Sequence, residues 1–212
     1  GGQRQRIAMA RAFARNPRMA WEWYDWRRQL IARCVPNAAH EILSAWSRRF
    51  PGFTLITQNV DNLHRVAGSR NVVDLHGVLH KVRCLACGEI TARNGLQRRL
   101  ADLNPHWQGE VAKFAPDGDA VLEGTATASF KVADCQSCGG MLKPDVVFFG
   151  ESVPSDRVLR ARQQLAESDA LLVIGSSLMV WSGFRFAKLA VESGKGLAII
   201  NRGKTRADDL AD

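Results

Sequence analysis

Apolar and polar positions alternate in two registers along the chain. Residues 3–15 carry Ile7, Ala8, Ala10 and Phe13 on one stripe at helical spacing, and Asn16-Pro17 ends that helix. A Trp-rich helix is expected over 19–34. Pro36-Asn37 marks the start of a third, running to about Phe50, with Ile42, Leu43 and Trp46 on its apolar face. The register then shortens. Phe53–Thr57, Asn71–Leu75, Val146–Phe149, Ala170–Ile174 and Leu197–Ile200 are short, β-branched apolar runs that read as buried strands. Helical periodicity returns near 155–167 and 183–193. Buried strands alternating with helices predict an α/β fold with a Rossmann-like parallel sheet.

The 212 residues and 46% apolar content support a globular core of one domain, or a domain with a small module. No apolar run approaches the ~20 residues that span a bilayer, and no apolar segment of a signal peptide follows the Arg-rich start. A soluble cytoplasmic protein without membrane association is the expectation. The net charge is +8, and eight arginines crowd residues 1–35 against only Glu22 and Asp25. A nucleic-acid arm is one reading of that cluster. Without interleaved aromatics at residues 1–18, solvated helix faces fit better, and no specific nucleic-acid partner is expected.

Four of five cysteines form two C-x-x-C pairs, Cys84/Cys87 and Cys135/Cys138. Each pair offers two thiolates from one tight knuckle, and together they make a tetrahedral zinc set. Glycines follow both pairs, where a knuckle needs permissive backbone. Two disulfides are the competing reading, disfavoured by the lack of an export signal. Cys34 reads as a helix or core cysteine. Residues 78–143, holding both pairs, form a zinc-binding module that interrupts the sheet.

Residues 57–77, TQNVDNLHRVAGSRNVVDLHG, concentrate amide, carboxylate and imidazole groups between two of the predicted strands. Ligands in parallel sheets sit outside the carboxyl ends of the strands. TQNVD, LHG, FFGE, GSSL and NRG all fall there.

The run T-Q-N-x-D-x-L-H-x-x-A-G followed by L-H-G resembles the signature of sirtuins, the NAD-dependent protein-lysine deacylases. The resemblance covers residues 12–212. It implies that His76 is the general base acting on the ribose of NAD, a task suited to an imidazole near its pKa. The reaction it implies moves an acyl group from lysine to ADP-ribose and releases nicotinamide. Gln58, Asn59 and Asp61 resemble the residues around the nicotinamide end, although Asp61 also suits a helix N-cap. Gly175, Ser176, Ser177 and Asn201 resemble those that meet the cofactor's riboses and phosphates. Residues 143–151 resemble the substrate strand, so Val146 and Val147 are expected along the acyl-lysine tunnel. Phe149, Gly150 and Glu151 are expected to pair with substrate backbone. The partner implied is the acylated lysine side chain of proteins, and the cofactors are NAD and Zn2+.

Tyr24 and Arg27, at i and i+3 of one helix, form a fork for a carboxylate. This Y-x-x-R resembles the subgroup that removes succinyl, malonyl or glutaryl groups. Packing among tryptophans, with Arg27 paired locally, is the other reading.

The first strand and G-A-G-x-S loop of the family pattern do not occur in these residues. The opening GGQRQRIAMARAFARNP resembles instead the signature helix of ABC-transporter ATPases. No phosphate loop or Asp-Glu strand accompanies it. Residues 1–11 therefore read as a foreign or fused segment. The catalytic domain is expected over 12–77 and 144–212, with NAD binding weakened by the missing loop. A non-catalytic, zinc-stabilised binder of acyl-lysine peptides is the alternative, and an ABC-type nucleotide-binding fragment a third.

Overall fold

A computed structural model of the chain describes residues 33–106, 130–148 and 150–211. The expected helices over 3–15 and 19–34 fall on undescribed residues, as do Tyr24, Arg27 and Phe149. The described residues form two compact units.

The α/β unit comprises residues 36–59, 63–76 and 153–212. Helix α1 (Ala38–Arg49) starts where Pro36-Asn37 predicts. The Asn37 side chain accepts from the His40 N–H at 3.2 Å, and the His40 ring accepts from the Asn37 N–H at 3.3 Å. This reciprocal cap satisfies two otherwise orphaned donors. Arg48 and Arg49 in the last turn complement the helix dipole. Strand β1 (Leu55–Thr57), the short helix α2 (Leu63–Val66) and strand β2 (Val72–Asp74) follow. β1 and β2 pair in parallel. Arg65 ties the loop between them to β2, donating at 2.8 Å to both the Val72 carbonyl and the Asp74 carboxylate.

Farther along the chain lie α4 (Ser155–Ala166), β6 (Ala170–Ile174), α5 (Trp181–Glu192) and β7 (Gly196–Ile200). β6 and β7 pair in parallel over five residues. One core joins Val73 and Leu75 to Ala161 and Leu165 of α4 and to Phe186 and Ala190 of α5. A second packs Val173 and Leu197 against Ala187, Leu178 and Ala207. The Rossmann-like α/β reading therefore holds.

The other unit takes in 77–152 together with 60–62, wider than the 78–143 expected for the cysteine-bearing module. Strands β3 (Gly77–Cys84), β4 (Ile90–Ala92) and β5 (Leu142–Val146) form an antiparallel sheet in the order β4-β3-β5, beside helix α3 (Arg93–Leu103). The strand expected at Val146–Phe149 in the parallel sheet lies instead at 142–146, antiparallel to β3. Two bonded polar pairs account for the difference. Arg83 Nε donates to buried Asp145 at 3.0 Å, and buried Lys143 reaches Glu151 at 2.7 Å. Charges neutralised in this way fit a buried strand that does not read as apolar. Pro144, which has no N–H for the ladder, stands beside a register shift between Gly77 and Val82. Cys34 is exposed, in neither a helix nor the core.

Candidate active site and metal centre

His76 closes the turn after β2. Its Nδ1 lies 3.1 Å from the Gln58 carbonyl oxygen, which can only accept. Nδ1 therefore carries the proton, and Nε2 keeps a lone pair. That lone pair faces the buried Ser182 hydroxyl at 2.8 Å. Burial holds the His76 pKa below the ordinary 6.5; the Gln58 carbonyl opposes this, and Arg157 and Arg185 add to it. The neutral, proton-accepting imidazole is the stable form at neutral pH. Ser182 did not stand out in the sequence. The only hint is its place in W-S-G at the start of α5, just after the GSSL turn.

Gln58 leaves the carboxyl end of β1, and its amide donates to Ser176 Oγ at 3.1 Å. A Cβ on Gly183 would come within 2.6 Å of Gln58 Oε1, so glycine makes room for this side chain. Asn59 is exposed, with its N–H on Thr57 Oγ1 at 3.1 Å.

Past β6 the chain turns through Gly175-Ser176-Ser177-Leu178. Gly175 has φ +63° and Leu178 φ +54°. A buried leucine in the left-handed region is strained backbone, of the kind that collects at ligand sites. Ser176 Oγ accepts from the Leu178 N–H at 3.2 Å. Asn201, after β7, donates to the Gly203 carbonyl at 2.8 Å. A cleft of about 1030 Å³ lies within this unit, with Gln58, Asn59, Ser176 and Ser177 among its lining residues. Amides, hydroxyls and turned backbone at strand ends are donors and acceptors suited to the ribose and phosphate groups of NAD.

The remaining predicted residues that the structure describes belong to the second unit. Asp61 lies in its 60–62 segment. Val146 is buried at the end of β5, and Val147 is half-buried. Gly150 is exposed with φ +92°. Glu151 accepts from Lys143 Nζ at 2.7 Å and from the Phe148 N–H at 3.0 Å. Its carboxylate therefore organises the end of this segment from within.

The four cysteines converge in the same unit, all Sγ atoms within 4.8 Å of one another. Cys84 and Cys138 are 3.5 Å apart, Cys87 and Cys135 3.9 Å. Zn–S bonds of ~2.3 Å at tetrahedral angles put sulfurs about 3.8 Å apart, so the set fits zinc. Gly88 and Gly139 both take the left-handed φ that turns each knuckle. A Cβ on Gly140 would meet Ala86 Cβ at 2.6 Å and Cys84 Sγ at 2.9 Å. The Cys87 N–H and then the Ala86 N–H pull the Cys84 thiol down to about 6. The Gly140 N–H favours a thiolate at Cys138 too, but the Cys87 and Cys84 sulfurs outweigh it and push Cys138 up to about 12. One thiolate forms readily while Cys135 and Cys138 resist, which a divalent cation reverses.

The Sir2 family model matches residues 2–182. The chain belongs to the Sir2 family. The match takes in most of the segment read as a foreign beginning. Among curated sirtuins, the chain is 51% identical over 185 residues to NAD-dependent protein deacetylase 2 of Bradyrhizobium diazoefficiens, covering 87% of this chain and 67% of that protein. It is also 51% identical over 176 residues to human NAD-dependent protein lipoamidase sirtuin-4, mitochondrial, covering 83% of this chain but only 56% of that one. The chain thus spans between about half and two thirds of these two relatives. The solved structure of Sir2 bound to acetylated peptide aligns with TM-score 0.76 and 26% identity, over 98% of this chain and 76% of the other. A Sir2–p53 peptide–NAD+ complex gives 0.73 and 27%, over 95% and 73%. The desuccinylase subgroup and the ABC-type resemblance gain no support from these matches. No helix among the described residues is long and apolar enough to cross a membrane.

Proposed function

We propose that this chain is the catalytic body of an NAD-dependent protein-lysine deacylase. The observation that carries the reading is the His76 arrangement: a proton fixed on Nδ1 by the Gln58 carbonyl and a lone pair on Nε2 that accepts from the Ser182 hydroxyl. When bound, NAD supplies the acyl acceptor, its nicotinamide leaving as the acyl group passes from lysine to ADP-ribose. His76 takes the proton of the ribose hydroxyl at Nε2, and neutrality at working pH equips it for this. Gln58, Asn59 and Asp61 hold the nicotinamide end, and Gly175, Ser176, Ser177 and Asn201 the riboses and phosphates. Val146, Val147, Phe149, Gly150 and Glu151 serve the acylated peptide. Cys84, Cys87, Cys135 and Cys138 hold a structural zinc that stabilises their unit and takes no part in acyl transfer.

The acyl group we propose is an acidic one, succinyl or malonyl, read by Tyr24 and Arg27 as a phenol–guanidinium fork. Parallel turnover of succinyl-lysine and acetyl-lysine peptides tests this. Tyr24→Phe and Arg27→Met should each abolish the succinyl preference and spare acetyl turnover. Equal loss on both peptides would refute the fork.

One observation favours a second reading, a zinc-stabilised binder of acyl-lysine peptides without turnover. The cleft that Gln58, Asn59, Ser176 and Ser177 line has a volume of about 1030 Å³, and a dinucleotide held loosely there would not react. Nicotinamide release distinguishes the two.

A further inference from the structure

Ser182 and Arg185 stand three residues apart on α5, so they share a face of that helix. The Ser182 hydroxyl meets His76 Nε2 at 2.8 Å, which puts Arg185 about one turn beyond that contact. On α4, Arg157, Ala161 and Leu165 follow one another at spacings of four. Ala161 and Leu165 pack in one core with Phe186 and Ala190 of α5. Arg157 therefore begins the stripe of α4 that faces α5. Both guanidiniums act on the His76 ring, each opposing a positive charge there. His76, Arg157, Ser182 and Arg185 all belong to the α/β unit.

Packing explains the aliphatic stem of Arg185 but not its head. Its Nε is buried, and no acceptor among the described residues meets it. A buried donor without an acceptor is costly, and native structures avoid it. The one acid of α5, Glu192, lies instead with Lys188 at 3.5 Å. Arg157 and Arg185 are both half-buried, so an ion from solvent can reach them.

We propose that Arg185 and Arg157 form a binding site for a small free oxyanion beside His76. The ligand class follows from the donors. A guanidinium presents Nε–H and an Nη–H side by side, a fork that fits two oxygens of a phosphate or carboxylate. An anion held there supplies the acceptor that Arg185 Nε lacks and neutralises two like charges brought together on adjacent helices. It also offsets their field at His76, so the ring takes a proton more readily. For a base that works in its neutral form, the anion is a brake. That last consequence rests on the catalytic reading; binding of the anion does not, and the two fail separately.

The test titrates the full, zinc-loaded chain with inorganic phosphate at neutral pH and fixed ionic strength. Arginine Nε–H resonances are followed by 1H–15N NMR. The expected result is a saturable shift at Arg185 and Arg157, while Arg160 and Arg162, exposed on the same helix α4, stay in place. Arg185→Lys keeps the charge but has no Nε–H, and should weaken phosphate at least ~10-fold without changing the melting temperature. No shift at Arg185 would overturn the proposal. So would a shift spread evenly over all the arginines, which is what loose attachment to a protein of net charge +8 gives. Undiminished phosphate binding by Arg185→Lys would overturn it too. NAD that displaces phosphate and alone reproduces the Arg185 shift would assign the pair to the cofactor's own phosphates, and no separate site would remain.

Discussion

His76 Nε2 and the Ser182 hydroxyl lie 2.8 Å apart, linking the turn after β2 to the start of α5. Serine is the donor in this bond, because the Gln58 carbonyl fixes the ring proton on Nδ1. The hydroxyl therefore orients the proton-accepting atom.

Ser182→Ala should leave the ring held by Gln58 alone. The expected loss in kcat/KM is several-fold to ~10-fold, on the scale of one hydrogen bond of about 1 kcal/mol. Zinc content should be unchanged. Peptide-dependent nicotinamide release, measured beside zinc stoichiometry, checks this.

The pH profile follows from the sign of the His76 shift. Its folded pKa lies below 6.5, so the active neutral form persists to lower pH than an ordinary histidine allows. The acid limb of kcat/KM should fall below 6.5. Arg157→Gln or Arg185→Gln removes a charge that opposes protonation and should move that limb upward. The same shift links to stability. Below 6.5 the unfolded chain binds the proton more readily, so this contribution is complete above 6.5 and is lost as pH falls toward the folded value.

Gly183→Ala should act on Gln58. The added Cβ meets only the far end of that side chain, which can swing aside at little cost to the fold. The melting temperature should change by no more than a few degrees, while the KM for NAD rises. A large drop in melting temperature with unchanged KM would contradict this.

Zinc removal should unfold the second unit. Cys84 and Cys135 belong to its core, beside Val82, Leu96 and Phe130. A strong chelator, or Cys87→Ala, should remove cooperative melting of that unit, as in small zinc domains. Far-UV circular dichroism with metal analysis measures it.

The parallel strands were legible because each is a short, β-branched apolar run bounded by turn residues, although much of β6 and β7 is exposed rather than buried. Ala170–Ile174 matches the observed β6 end to end, and 55–57 and 72–74 fall inside their predicted ranges. The two cysteine pairs were legible for a similar reason, since four soft ligands at knuckle spacing have few other uses. β5 was misplaced because its buried Lys143 and Asp145 look like loop residues until Glu151 and Arg83 are beside them. β3 and α3 went unread, their Lys, Arg and His positions obscuring the period. Ser182 was invisible because a single serine has no pattern.

The central claim is that this chain transfers acyl groups from lysine to NAD-derived ADP-ribose with His76 as base. The most direct measurement is nicotinamide released from NAD by zinc-loaded protein, with and without an acyl-lysine peptide, for wild type and His76→Ala. The account predicts release that requires the peptide and falls at least ~100-fold in the variant. Folded, zinc-loaded protein that releases no nicotinamide, or releases it equally well without His76, would contradict it.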